Sequence, residues 1–248
     1  MGSPRFSPLC GYSYAWRAGY KPQAFDRLEE ILIIEESDSD SDVIKISFKD
    51  IDLVEQIIDT YGKLGFLFYS RDRIHELNGK VQANHVYVHY YLYNFIYDCK
   101  SYLDSVAIML NDFYDVGESG GRIDFKFGTY RNKLIKKEPN LERIINELKP
   151  WFIIVYNWRR DLIHKFSSEI GWQMLEVPSI EEMDEYLEKN PPVLMLMEPQ
   201  PYLSANFPEL NKKYGTSFRE IDPFCEEWIS NACNFYNEVC DVIAHTII

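Results

Sequence analysis

Apolar residues recur every three to four positions along most of the chain, which is the period of an amphipathic α-helix. The pattern predicts four helical regions, at residues 49–77, 81–114, 130–148 and 222–247. A further helix is expected from Pro150 to about Phe166, because the N–H that proline lacks is unpaired in a first helical turn anyway. Long alternating segments are absent. We therefore expect a mostly all-α fold, a helical bundle with minor short strands and long loops.

Prolines and glycines mark two irregular regions, an N-terminal arm over 1–22 and an insertion over 171–218. The aromatic residues of the arm, Tyr20 among them, suggest that it docks on the helical body. Shorter elements are expected outside the long helices: a helix at 23–33, an acidic loop at 35–42, a strand at 43–48 and a Gly-rich loop at 116–122. The insertion itself is expected to hold a helical patch at 180–187 and a strand at 193–197. We expect one domain over 1–248.

Composition excludes several classes of protein. Hydrophobic residues make up 46% of the 248 residues and charged residues 26%, as in folded globular proteins, so a disordered or collagen-like chain is excluded. The longest strictly apolar runs, such as 151–156, span a few residues, whereas a bilayer span needs about 20. We therefore expect no transmembrane helix. The first residues lack an apolar signal core, so secretion by that route is not expected.

The charge is distributed unevenly. The chain carries 26 Lys and Arg against 39 Asp and Glu, a net charge of −13. Residues 122–165 depart from this, with eleven Lys and Arg against five Asp and Glu. An acidic protein that binds a polyanion has to concentrate its cations in this way. The segment is either a basic solvated helix surface or an anion-binding face.

The cysteines indicate a reducing environment. There are five, an odd number, and Cys225, Cys233 and Cys240 are spaced to lie on one side of the last helix, where free cysteines pack as small apolar residues. We expect a cytoplasmic protein. No Cys-x-x-Cys pair, His-Glu-x-x-His, phosphate-binding loop or Gly-x-Gly-x-x-Gly motif occurs, so we expect neither a metal site nor another cofactor.

The helix at 81–114 is apolar on nearly all sides, which is typical of a central, buried helix. Its polar residues Asn94, Asp98, Ser101 and Ser105 follow spacings of four, three and four, so they form one stripe. A buried carboxylate such as Asp98 needs a partner.

Candidate chemistry lies in the segment Trp-Arg-Arg-Asp-Leu-Ile-His-Lys at residues 158–165. At 100° per residue, Asn157 and Arg160 lie within 40° of His164, and Asp161 lies 60° from it. The opposite side is apolar. Arg159 falls within that apolar arc, where a charge needs a partner, and Asp98 is a candidate.

An arginine and a histidine on one helix face suit phosphodiester chemistry. His164 can take a proton from a 2′-hydroxyl or give one to a leaving oxygen, because the unperturbed pKa of histidine is about 6.5. An arginine can stabilise the charge that develops on the phosphate. This chemistry requires no metal. The alternative is an ordinary exposed pair, or a histidine at a helix end satisfied by its neighbours.

Arg159-x4-His164 resembles the Arg-x4–6-His motif of the HEPN superfamily, whose members place it on a late helix preceded by a long central helix. Residues 89–110 look like that central helix, and the resemblance covers about 81–165 plus the final helix. It implies catalytic roles for Arg159 and His164. Arg160 stands at a variable position that is usually Asn, Asp or His. Because the helical wheel favours Arg160 as the neighbour of His164, all three residues are retained.

The resemblance implies a HEPN-like helical bundle acting as a metal-independent endoribonuclease, of the kind that serves as a toxin or defence effector. It also implies a homodimer in which two motifs form one site, RNA as substrate, and an antitoxin-like protein as partner. Asn157, Asp161 and Asp98 are the supporting polar residues. The alternative is a non-catalytic RNA-binding or protein-interaction module on the same scaffold, which the negative charge outside the basic segment favours.

Overall fold

The computed structural model describes residues 20, 33–37, 44–48, 51–77, 85–164, 170–173, 189, 193–196 and 219–247. Within these residues the α-helices are α1 (Ile51–Leu77), α2 (His85–Phe113), α3 (Gly128–Lys137), α4 (Glu142–His164) and α5 (Ile221–Ile247). Short 3₁₀ turns at Gly120–Arg122 and Pro139–Leu141 precede α3 and α4. The prediction of a mostly all-α fold is confirmed.

Five short strands accompany the helices within the described residues. β1 (Ile33–Ser37) and β2 (Ile44–Phe48) form an antiparallel hairpin, and β3 (Ile170–Gln173), β4 (Val193–Leu196) and β5 (Arg219–Glu220) form an antiparallel sheet in the order β3-β4-β5. The predicted strands at 43–48 and 193–197 are confirmed as β2 and β4.

The irregular regions need correction. The expected acidic loop begins inside β1, where Glu35 pairs with Ile46 and Glu36 with Lys45. The insertion is not irregular throughout, because β3 and β4 pair within it. Both errors arise because a strand gains its hydrogen bonds from a partner strand, which local composition does not reveal. The expected helix at 23–33 is wrong at Ile33, which begins β1; its other residues, and the patch at 180–187, lie outside the described residues.

The expected helix start at Pro150 is also wrong, because α4 begins at Glu142 and runs through the proline. A proline inside a helix costs about 3 kcal/mol, since it removes one hydrogen bond and crowds the preceding turn. Trp151 and Phe152, which follow it, are 2% and 1% exposed. Burying each large side chain contributes about 1.5–3 kcal/mol, enough together to offset the proline.

Helix α2 is the centre of the bundle, and α1, α4 and α5 pack against it. Phe95 of α2 meets Trp228 and Phe224 of α5, with ring centroids 6.1 and 6.3 Å away. Trp228 also lies 4.6 Å from Phe224 and 6.5 Å from Trp151 of α4. These aromatic rings form one continuous core between the three helices.

Buried tyrosine hydroxyls connect the helices through backbone carbonyls. Tyr102 of α2 donates to the carbonyl of Ala232 at 2.9 Å, and Tyr236 of α5 donates to that of Ile57 in α1 at 2.9 Å. Tyr20, from the N-terminal arm, donates to the carbonyl of Cys233 at 3.1 Å and accounts for the expected docking of that residue. Each hydroxyl satisfies a buried polar group while it sets how two segments meet.

We expect Trp228→Ala to lower the free energy of unfolding by about 3–5 kcal/mol, because it leaves a cavity where three helices meet. The measurement is the midpoint of urea unfolding. Ile108→Ala is the control, since Ile108 on α2 is 45% exposed and its truncation should cost less than about 1 kcal/mol. Equal losses for the two variants would contradict this description of the core.

Candidate functional site

Apart from Asp98 on α2, the predicted site residues lie on the last two turns of α4. The helix continues to His164, so positions 160 and 164 are one turn apart on the same side of its backbone. Trp158 is buried and packs against Phe224 of α5, with ring centroids 5.7 Å apart. This contact fixes the rotation of the helix and leaves Arg160 exposed. The side chains of Asp161 and His164 lie outside the described part of the structure.

Arg159 is half-buried, as its place in the apolar arc predicts. Its guanidinium carbon lies over the ring of Tyr97 in α2, 5.8 Å from the ring centroid. This is a cation–π contact, in which the ring face attracts the positive charge. Asp98 was a candidate partner, and the structure does not pair the two: among the described side chains no ion pair joins Arg159 to Asp98. Arg159 is held instead by Tyr97, the residue that precedes Asp98.

Asp98 instead faces α1. Its Oδ2 accepts a hydrogen bond from the buried hydroxyl of Ser70 at 3.3 Å. Burial raises the pKa of Asp98 to about 7, an effect that the Ser70 hydrogen bond opposes in part. The carboxyl therefore changes its charge near neutral pH, one residue from the ring that supports Arg159.

Much of the basic segment has structural partners. Arg131 is buried and donates to the carbonyl of Phe125. Arg143 bridges Glu147 at 3.0 Å and Glu238 of α5 at 2.5 Å. These cations stabilise the bundle, which favours a structural role over an anion-binding role for this part of the segment.

Lys126, on the loop before α3, is placed differently. The ammonium of Lys126 lies 3.3 Å from the ring centroid of Tyr156 and 4.5 Å from that of Phe127. Tyr156 is one turn before Arg160 on α4. Lys126 also approaches Asp124 at 3.8 Å, so its charge is partly compensated. Aromatic rings and cations thus lie side by side along this end of α4.

Comparison with known proteins adds the family. Residues 42–194, more than half of the chain, match the family described as HEPN_Cthe2314-like HEPN. The chain belongs to the HEPN superfamily. No curated protein and no solved structure matches it. The matched region includes α1 to α4, and with them Asp98, Arg159, Arg160 and His164.

Sequence reasoning missed two residues that contact members of this candidate site. Tyr97 was not singled out, although it directly precedes Asp98 and lies on the side of α2 that meets α4. Ser70, which hydrogen-bonds Asp98, was also missed, because it lies on α1 and its pairing depends on how α1 and α2 pack. The only available signal was the general need of a buried carboxylate for a donor.

The described part of the HEPN chain holds no group of three His, Cys, Asp or Glu placed to bind a metal ion. Cys225 and Cys240 are free and buried, as expected for core residues, and burial raises the pKa of both thiols. Cys233 is half-buried and packs against the same core. None of the helices in the described ranges has the length and apolar character of a membrane span.

We expect Asp98→Asn to change the pH dependence of stability. Because the folded-state pKa of Asp98 is raised to about 7, the folded protein holds this proton more tightly than the unfolded chain. Its contribution to stability is therefore full below about pH 4 and is lost as the pH rises through about 7. Between pH 5 and pH 8 the wild type should lose roughly 2–3 kcal/mol that the variant keeps.

The measurement is urea unfolding of both proteins at the two pH values. Asp115→Asn, which changes an exposed carboxyl in the turn after α2, is the control and should follow the wild type. A constant difference between the wild type and Asp98→Asn across this range would contradict a raised pKa.

Proposed function

We propose that this HEPN protein is a metal-independent endoribonuclease, with His164 as general acid–base and Arg159 and Arg160 as phosphate ligands. The observation that carries the proposal is the end of α4. There Arg159, Arg160 and His164 lie on one continuous helix, with Arg159 half-buried and Arg160 exposed. HEPN domains are often ribonucleases or toxins. We propose a toxin or defence role on this ground.

The chemistry follows from these groups. The imidazole of His164 takes the proton of a ribose 2′-hydroxyl, and the oxygen attacks the adjacent phosphorus. The bond from phosphorus to the 5′-oxygen breaks, that oxygen takes a proton from a second, protonated His164, and a 2′,3′-cyclic phosphate remains. Arginine guanidinium groups match the geometry of the phosphate oxygens and stabilise the added negative charge.

The two arginines are suited to different tasks. Arg159 is held over Tyr97, so its charge is positioned before RNA binds and little side-chain entropy is lost on binding. Arg160 is exposed, one turn before His164, and can reach a phosphate that approaches from solvent. Asn157, half-buried on the same face, and Asp161 are proposed to support them.

A homodimer would complete the site. One histidine can act as base or as acid, whereas in-line transfer gains from both. HEPN domains commonly dimerise. Two motifs facing each other would bring two copies of His164 and four arginines to one phosphate. Their mutual repulsion in the empty site favours a nearby anion, and an acidic antitoxin-like protein is the proposed partner.

A non-catalytic RNA-binding or protein-interaction module is the second candidate. The net charge of −13 favours its protein-interaction form, because most of the surface repels RNA. The pairing of Lys133 with Glu118 at 2.6 Å, and of Arg143 with two glutamates, also leaves fewer cations for a polyanion.

Cleavage of labelled RNA in excess EDTA distinguishes the two. We expect the wild type to cleave and His164→Ala to be slower by about 100-fold or more, since general acid–base groups contribute 10²–10⁴. His75→Ala is the matched control, because His75 ends Arg71-Asp72-Arg73-Ile74-His75, which repeats the Arg-Asp-x-Ile-His pattern of 160–164. His75 instead pairs with Asp222 at 3.1 Å, and its loss should leave cleavage unchanged. RNA binding without cleavage by the wild type would favour the module.

Light scattering at micromolar concentration tests the composite site. We expect about twice the chain mass of 29.3 kDa, because a single histidine cannot be acid and base in one step. The chain mass alone, both with and without RNA, would contradict a site shared by two protomers.

A further inference from the structure

The first half of α2 exposes an unusual number of aromatic side chains. Tyr87 is 57% exposed, Tyr90 58% and Tyr97 38%, and Tyr69 of the adjacent α1 is 39% exposed. We call these four residues the tyrosine surface. Aromatic residues are the largest contributors to protein cores, and a cluster left at the surface marks an interaction site more often than chance.

The tyrosine surface ends beside the proposed catalytic end of α4. Tyr69 meets Tyr91 edge-on at 6.3 Å, and Tyr91 meets Tyr90 at 5.2 Å. Tyr90 and Tyr97 are two turns apart on one side of α2, roughly 10 Å along its axis. The guanidinium of Arg159 lies over Tyr97 at the far end.

The charges around this surface favour a polyanion. Residues 85–97 contain no Asp, Glu, Lys or Arg. The two acids at the end of α1 are each paired with an arginine, Asp72 with Arg71 at 2.6 Å and Glu76 with Arg73 at 2.5 Å. Arg71 also pairs with Glu226 of α5. In a chain of net charge −13, residues 85–97 thus add no negative charge, and Arg159 and Arg160 lie at their end.

Unpaired nucleobases match these features. Successive bases of a single strand stack on aromatic side chains while arginines contact the phosphates, and this binding needs no particular sequence. A duplex keeps its bases stacked inside and offers no ring faces to the tyrosines. An acidic protein can pair with the arginines, but only a nucleic-acid strand combines stackable rings with regularly spaced phosphates.

We propose that the tyrosine surface binds the unpaired bases of a single-stranded RNA and leads its phosphates to Arg159 and Arg160. The choice of RNA rests on the proposed ribonuclease function. The strand follows α2 from Tyr87 to Tyr97, so nucleotides several positions from the cleaved bond contribute to affinity.

Binding of a short labelled RNA tests this, measured by fluorescence anisotropy at one fixed salt concentration. All variants carry His164→Ala, so the RNA stays intact. Y87L/Y90L removes the rings but keeps apolar bulk, and Y87F/Y90F is the matched control that keeps both rings. Thermal unfolding by circular dichroism confirms that each variant is folded.

We expect the Leu pair to bind single-stranded RNA about tenfold or more weakly than the Phe pair, because each lost base–ring stack costs close to a factor of ten. Duplex affinity should be the same for both. Equal single-strand affinities, or an equal loss for duplex, would overturn the proposal. So would light scattering in which only the Leu pair changes mass, since the surface would then join two copies of the chain.

The binding test of the tyrosine surface and the cleavage test of the proposed function can fail independently of each other. Cleavage by the native protein together with equal affinities of the two pairs overturns the tyrosine surface and leaves the ribonuclease standing. A loss confined to the Leu pair without any cleavage supports the tyrosine surface and refutes the ribonuclease.

Discussion

The burial of α2 among α1, α4 and α5 is the constraint on which the other features of this HEPN protein depend. A helix surrounded on most sides must satisfy every polar group that it takes out of water. The hydroxyl of Tyr102 therefore donates to a carbonyl of α5, and the carboxyl of Asp98 accepts from Ser70 of α1. These polar contacts, together with the aromatic core around Trp228, set the positions of the helices.

The packing of these helices sets the geometry of the candidate site. Trp158 is buried against α5. Because this sets the rotation of α4, the next two side chains point in different directions, Arg159 to α2 and Arg160 to solvent. The ring under Arg159 and the titratable carboxyl of Asp98 belong to consecutive residues of α2. A charge that looked misplaced on a helical wheel is therefore supported by an aromatic face, and a carboxylate is not needed for it.

The sequence was informative where the signal is local. Period and composition predicted α1, α2 and α5 to within a few residues, and the spacing of Arg159 and His164 led to the HEPN resemblance that the family match confirms. It failed at Pro150 and at β1 and β3. There the local preference for a break or a loop was outweighed by burial of Trp151 and Phe152, or by pairing with a strand elsewhere in the chain.

The sequence by itself thus determined the helical class, the family and the residues of the motif, because the residues of one helix keep fixed angular relations wherever the helix packs. Only the tertiary structure decided that Tyr97 supports Arg159, that Ser70 meets Asp98, and that Arg131 and Arg143 serve the bundle. Each of these contacts joins different segments of the chain. They depend on how each helix is rotated and crossed against its neighbours, which side-chain packing sets and local spacing does not.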